Sequence, residues 1–146
     1  MRVVLDVNVW ISALLWGGIP GQMLRLARNQ QITIFTSDPL LLELETTLNR
    51  AKFRSQLQQR DYTVEYLMSV VKGFSTSSST TPINVPELRD PKDAKIIETA
   101  LGADAEAIVT GDLDLLTLGE VEHIAILTPT NFINRYFPNL SFRNID

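Results

Sequence analysis

The chain has 146 residues, 45% of them hydrophobic and 21% charged, with thirteen basic side chains against seventeen acidic ones. That length and mixture suit one globular domain with a substantial core, and the net charge of -4 argues against gripping a long polyanion by bulk electrostatics. Cysteine is absent and His123 is the only histidine, which excludes thiol catalysis, disulfides, thiolate metal sites and clusters of imidazoles.

The start, Met-Arg-Val-Val-Leu-Asp, turns acidic too soon for a signal peptide, and no apolar run approaches the roughly 20 residues that cross a bilayer. A cytoplasmic protein with no membrane association is the expectation, in keeping with the lack of cysteine. Val3 to Leu5 is a wholly apolar strand, as in the buried interior of a parallel sheet, and it runs straight into Asp6-Val7-Asn8. The carboxyl ends of such strands are where these sheets place ligands. Val9 to Leu15 reads as a short helix broken by Gly17-Gly18, and Pro20 opens a second with Met23, Leu24, Leu26 and Ala27 as its apolar stripe. Gln31 to Thr36 is a second strand. Ser37-Asp38-Pro39 then caps and starts a helix to about Arg50, burying Leu40, Leu41, Leu44 and Leu48.

A basic stretch follows, with Arg50, Lys52, Arg54 and Arg60 around Phe53 and Leu57. A solvated helix face is one use for it; contact with a phosphate backbone or an acidic partner segment is the other. Asp61 to about Lys72 reads as a helix, Ser75 to Thr81 as a solvated loop, and Ile83 to Val85 as a short edge strand closed by Pro86. Asp90 caps the next helix, with Pro91 in its first turn and Asp93 in the capping-box position. That helix should bury Ala94, Ile97, Ala100 and Leu101 and end at or just after Gly102. Ala107 to Thr110 is an interior strand entering Gly111-Asp112-Leu113-Asp114. Ile124 to Leu127 is a further strand, broken by Pro129, and Thr130 caps a final helix.

Strands alternating with helices imply a three-layer α/β/α fold with a mainly parallel sheet, as a single domain over 1-146 with a core of about 2-137 and a short C-terminal tail. In that topology Asp6 and Asp112 follow strands, while Glu43 and Asp93 lie in the opening turns of helices, so all four share one rim of the sheet. Four clustered carboxylates repel and raise one another's pKa. With no histidine or cysteine beside them, oxygen-bound divalent cations, Mg²⁺ or Mn²⁺, are the economical compensation. Each acid taken alone has an ordinary use as a cap, a turn residue or an exposed helix residue; their shared address makes the case.

From Val3 to about Phe132 these motifs resemble the PIN-domain ribonucleases, and within them the toxin components of toxin–antitoxin systems. Val-Val-Leu-Asp6-Val-Asn8 is similar to that family's first motif, Ser37-Asp-Pro-Leu-Leu-Leu-Glu43 to its second, Asp90-Pro-Lys-Asp93 to its third, and Thr110-Gly-Asp112-Leu-Asp114 to its fourth. Val7 departs from the small polar residue common there. The resemblance implies a PIN-like fold and a metal-dependent endoribonuclease. Asp6, Glu43, Asp93 and Asp112 would be the catalytic and metal-binding acids, with Asp114 as an additional ligand and Asn8, Ser37 and Thr110 as supporting groups. It also implies single-stranded RNA as substrate, a cognate antitoxin as partner, and a homodimer. The alternatives are an antitoxin-bound or RNA-binding interaction module with little activity of its own, and a haloacid-dehalogenase-like phosphatase. The phosphatase pattern needs a second acid where Asn8 stands, and a response-regulator phosphoacceptor needs a lysine that Leu127-Thr128-Pro129 lacks.

Overall fold

Val3, Val4 and Leu5 are shut off from water on both faces, and their strand is hydrogen-bonded on both sides. This is what an unbroken apolar run demands, because only the middle of a covered sheet hides every side chain. The computed structural model describes residues 1–83 and 91–140. In chain order its elements begin β1 (Arg2–Leu5), α1 (Val7–Leu15), α2 (Gly18–Arg28), β2 (Thr33–Thr36) and α3 (Asp38–Leu48). A single 3₁₀ turn (Ala51–Phe53) leads to α4 (Arg54–Gln59), α5 (Val64–Phe74) and β3 (Ser75–Ser77). Then come α6 (Pro91–Gly102), β4 (Ala107–Val109), α7 (Leu113–Leu118), β5 (Glu120–Val121), β6 (Ile124–Leu127) and α8 (Pro129–Tyr136).

The sheet order is β3-β2-β1-β4-β6-β5, with every pairing parallel except that of β5 with β6. From β1 the chain builds outward through β2 to β3, and after α6 it resumes at β4 on the other side of β1. The order therefore reverses between β1 and β4, and at such a switch point the connections diverge and leave a crevice at the carboxyl edge. Helices cover the sheet to give a three-layer α/β/α fold around one buried cluster that includes Trp10, Leu44, Ile97 and Phe132. Among the described residues no helix is long and apolar enough to cross a membrane.

Two hydroxyls lock the helices that border the crevice. Ser37 Oγ accepts from the Leu40 N–H at the start of α3 (3.3 Å) and lies 2.7 Å from Thr99 Oγ1 on α6. Thr99 donates its own proton to the Lys95 carbonyl (2.7 Å), so Ser37 is the donor in the bond between them. This buried pair ties the opening of α3 to the middle of α6.

Several expectations need correction. The Ser75–Thr81 run is not a solvated loop: Ser75–Ser77 forms β3 and pairs in parallel with β2. Its hydroxyls serve the fold, since Ser75 Oγ donates to the Val71 carbonyl (2.7 Å) and lies 3.3 Å from Thr36 Oγ1. Beyond it, Ser78 N–H donates to the Thr36 carbonyl (2.7 Å) and Thr81 N–H to the Glu98 carbonyl (2.9 Å), holding the chain along α6. The edge strand expected at Ile83 to Val85 lies, from Asn84 onward, outside the described residues, as do the roles of Pro86 and Asp90 and the tail beyond 140. Ile83 itself is in no strand, and its N–H donates to Glu98 Oε2 (3.2 Å). α8 is capped by Thr128, whose hydroxyl accepts from Asn131 N–H (3.1 Å), so the cap is two residues earlier than Thr130 and Pro129 sits inside the helix start. α5 opens at Val64 under a Thr63 cap rather than at Asp61, which adopts φ 55° in the turn before it. On α6 Ile97 and Ala100 are buried as expected. Ile96 and Thr99 complete the buried face, while Ala94 and Leu101 are only half-buried.

A candidate metal centre at the sheet switch point

β1 ends because Asp6 takes the extended geometry of an N-cap, and its side chain closes the first turn of α1. The Val7 N–H donates to Asp6 Oδ1 (2.8 Å), and the Thr110 hydroxyl, arriving from the end of β4, donates to Oδ2 (2.7 Å). Thr110 Oγ1 in turn accepts from the Asp112 N–H (3.0 Å), and Asp112 Oδ1 accepts from the Asp114 N–H (2.9 Å) to cap α7. A continuous chain of hydrogen bonds thus connects the tips of the two strands at the switch point. Burial raises the Asp6 carboxyl above its ordinary 3.8; the Thr110 and Val7 hydrogen bonds oppose that and the nearby Asp112 charge adds to it.

Above this floor is a cleft of about 200 Å³ lined by acids from four separate elements: Asp6, Glu43, Asp93 and Asp112. Asn8 and Val7 complete the wall from α1. Asp93, in the first turn of α6, is 95% buried by neighbouring elements, at 5% exposure, an unusual degree of enclosure for a carboxylate. Carboxylate oxygens of Asp93, Asp112 and Asp114 all lie within 4.8 Å of one another. Oxygens bound to one Mg²⁺ or Ca²⁺ at roughly 2.0–2.6 Å must lie within about twice that distance of each other. The trio is therefore close enough to share one divalent cation with modest side-chain adjustment, and its all-oxygen chemistry suits a hard ion.

All four expected acids reach one cleft, yet the tightest cluster differs from that set. Asp114, expected only as an addition, belongs to it, whereas Asp6 and Glu43 line the same cleft outside it. Glu45 is exposed and does not line the cleft. Of the expected supporting groups, Asn8 lines the cleft and Thr110 holds Asp6, while Ser37 acts through the α3–α6 tie. The basic run divides. Arg50 lines the cleft; Lys52 stacks over Phe53 (5.1 Å to the ring centroid) and Arg54 is exposed on α4. Arg60 is structural, its Nε donating to the Leu15 carbonyl (2.7 Å) and its Nη1 to the Gln56 carbonyl (3.2 Å). Trp10 is fully buried, Trp16 is 55% exposed, and His123 sits in the β5–β6 turn at φ 70°.

Two lining residues escaped sequence reasoning, Thr47 and Lys92. Thr47 was detectable, since it lies four residues past Glu43 on the same helix face. Lys92 had only its adjacency to Asp93 to announce it. Thr110→Val should test the hydrogen-bonded floor: it removes the donor to Asp6 and the acceptor for Asp112 N–H. Groups that orient metal-site carboxylates typically contribute 10- to 100-fold, so Mn²⁺ affinity measured by calorimetry should fall by about that factor. Unaltered affinity would mean that the Thr110 bond does not position Asp6.

Comparisons with known proteins agree with this geometry. Residues 2–114 match the family model described as PIN domain. An uncharacterized protein of Methanocaldococcus jannaschii is 32% identical over 145 residues, covering 93% of this chain and 92% of its own length. Among solved structures, VapBC2 from Rickettsia felis, bound to a DNA fragment from their promoter, aligns with a TM-score of 0.57 at 16% identity, covering 86% of this chain and 97% of that one. That likeness is one of fold. The family match begins in β1 and ends at Asp114, so it spans every acid of the cleft, and the chain belongs to the PIN-domain family.

Proposed function

We propose that this PIN-domain protein is a divalent-metal-dependent endoribonuclease that hydrolyses single-stranded RNA, and the toxin of a toxin–antitoxin pair. The observation that carries the reading is the meeting of Asp6, Glu43, Asp93 and Asp112 in one cleft, with Asp114 completing a trio spaced for a cation. Mg²⁺ or Mn²⁺ held there would activate water and neutralise charge on the scissile phosphate. The chain's own residues fix that chemistry in place. Thr110 and the Val7 N–H aim the Asp6 carboxylate, the α7 cap orients Asp112, and the Ser37–Thr99 tie sets α3, with Glu43, against α6, with Asp93. Attack by water at phosphorus with rupture of the P–O3′ bond yields a 5′-phosphate and a 3′-hydroxyl.

The fold is shared with VapBC2, a protein solved on promoter DNA, and this supports the toxin–antitoxin setting. One feature favours a covering partner as a second reading. Leu42 and Leu113, adjacent to Glu43 and Asp112, are 64% and 76% exposed, an apolar margin suited to an antitoxin segment. A homodimer acting in the cytoplasm belongs to the same proposal. PIN-domain membership leaves the phosphatase alternative without support. The test is incubation of purified protein with single-stranded RNA in Mn²⁺ or in EDTA, beside Asp93→Asn. Cleavage should require both Mn²⁺ and Asp93. Equal cleavage by the variant would sink the site, and tight capture of a co-encoded protein without cleavage would favour the interaction reading.

A further inference from the structure

The cleft is electrically lopsided. Its acids gather at the switch point, yet its wall continues through Glu43 and Thr47, one turn apart on α3, to Arg50, which lies past the helix end in extended backbone before the 3₁₀ turn. Past Glu45 the chain has no acid until Asp61, so residues 46–60 carry four cations unopposed in sequence. Those cations are not equivalent. Arg60 is committed to the carbonyls of Leu15 and Gln56, and Lys52 lies over the Phe53 ring. Arg50 alone of the run lines the cleft, and its guanidinium has no hydrogen bond or ion pair among the described residues.

A planar guanidinium with five N–H donors is matched to two oxygens of a phosphodiester. One phosphate engaged with the carboxylate-held cation leaves the next few phosphates of the same strand within reach of Arg50. We infer that Arg50 is the strand anchor of this cleft, a positioning residue that binds a phosphate flanking the scissile one. This rests on the RNA-substrate part of the function proposed above. It assigns substrate grip to one side chain at the end of an acidic cleft, which is how a protein of net charge -4 can hold a polyanion. It also makes very short substrates poor ones, because a dinucleotide occupying the acid centre has no phosphate left for Arg50.

The test is fluorescence anisotropy of a 12-nucleotide oligouridylate in Mn²⁺ over a series of KCl concentrations, in an Asp6→Asn background that holds cleavage off. Arg50→Gln should weaken binding by about tenfold. It should also lower the slope of log affinity against log salt by about 0.7, the value of one single-strand phosphate contact. Arg50→Lys should keep the slope, since the charge remains, and recover part of the affinity. An unchanged slope in Arg50→Gln overturns the assignment. So does an equal slope loss in Lys52→Gln, which would return the contact to the basic run as a whole, or an effect of Arg50→Gln confined to an acidic protein partner. Cleavage is read separately in the protein with Asp6 intact: a slope loss in Arg50→Gln beside no cleavage there would contradict the nuclease reading and leave Arg50 standing, and cleavage there with an unchanged slope would do the reverse.

Discussion

Asp6→Asn is expected to lose two to three orders of magnitude of RNA cleavage, roughly the effect of deleting one preorganised electrostatic group, while the metal-free protein unfolds at the same temperature or higher. The two outcomes have one cause. Burial raises the Asp6 carboxyl, so the folded state holds that proton more tightly than the unfolded chain does. Its favourable contribution is complete below the ordinary value of 3.8 and is lost as pH rises through the elevated folded value. At neutral pH the ionised Asp6 therefore works against folding. Asparagine keeps an acceptor for the Val7 N–H, which holds the α1 cap, and it carries no charge to desolvate, which offsets the Thr110 hydrogen bond that its Nδ2 cannot accept. Thermal melts in EDTA should show Asp6→Asn at or above wild type at pH 7, with the gap closing below pH 3.8. Melting well below wild type at pH 7 would show that the Asp6 carboxylate is kept for the fold rather than for a metal.

Gly102→Ala should be the most damaging of the conservative helix substitutions. Exchanging a helical glycine for alanine ordinarily stabilises by about 0.5–1 kcal/mol. Here the sign reverses. A Cβ on Gly102 would overlap the Ser79 carbonyl oxygen, and would stand 2.6 Å from its carbon and 2.9 Å from Thr80 Cα. The obstacle is backbone, pinned by the Thr81 N–H bond to the Glu98 carbonyl and the Ser78 N–H bond to the Thr36 carbonyl, so it cannot turn aside as a side chain could. Such overpacking costs about 1–3 kcal/mol, and the upper end applies where backbone must move. Urea denaturation reads this directly. A stabilised Gly102→Ala would mean that residues 79 and 80 do not lie against α6.

The same contact explains what could and could not be read from the chain alone. β1 and β4 were legible because a strand buried on both faces leaves an uninterrupted apolar run, and a polar residue ending that run marks the carboxyl edge. From there parallel topology puts Asp6 and Asp112 side by side and brings the openings of α3 and α6, with Glu43 and Asp93, to the same rim. β3 was illegible for the opposite reason. An edge strand needs backbone partners on one side only, and Ser75-Thr76-Ser77 has the composition of a solvated loop because its pairing owes little to its side chains. Gly102 ends α6 as it reads, yet the left-handed residue after the helix is Asp104 at φ 52°, and Gly102 is small because the Ser79–Thr80 backbone passes over it. Within the cleft, residue type predicted the acids, while the division of the basic run depended on which side of a turn each cation faces. That is a property of three-dimensional packing, and neither Arg50's place in the cleft nor Arg60's bonds to carbonyls has a local signature. Ser37 shows the same limit: its capping role was visible, and its bond to Thr99, 62 residues away, was not.

A carboxylate cleft that directs water to the phosphorus of an RNA phosphodiester, as proposed above, leaves its signature in the reaction products. The ends of the products test it most directly. Cleavage of a single-stranded RNA in Mn²⁺ should leave a 5′-phosphate and a 3′-hydroxyl, resolved by mass spectrometry of the fragments, and Asp93→Asn should produce neither. Fragments ending in a 2′,3′-cyclic phosphate would contradict the account, because they arise from attack by the neighbouring ribose hydroxyl and require no water held by these acids.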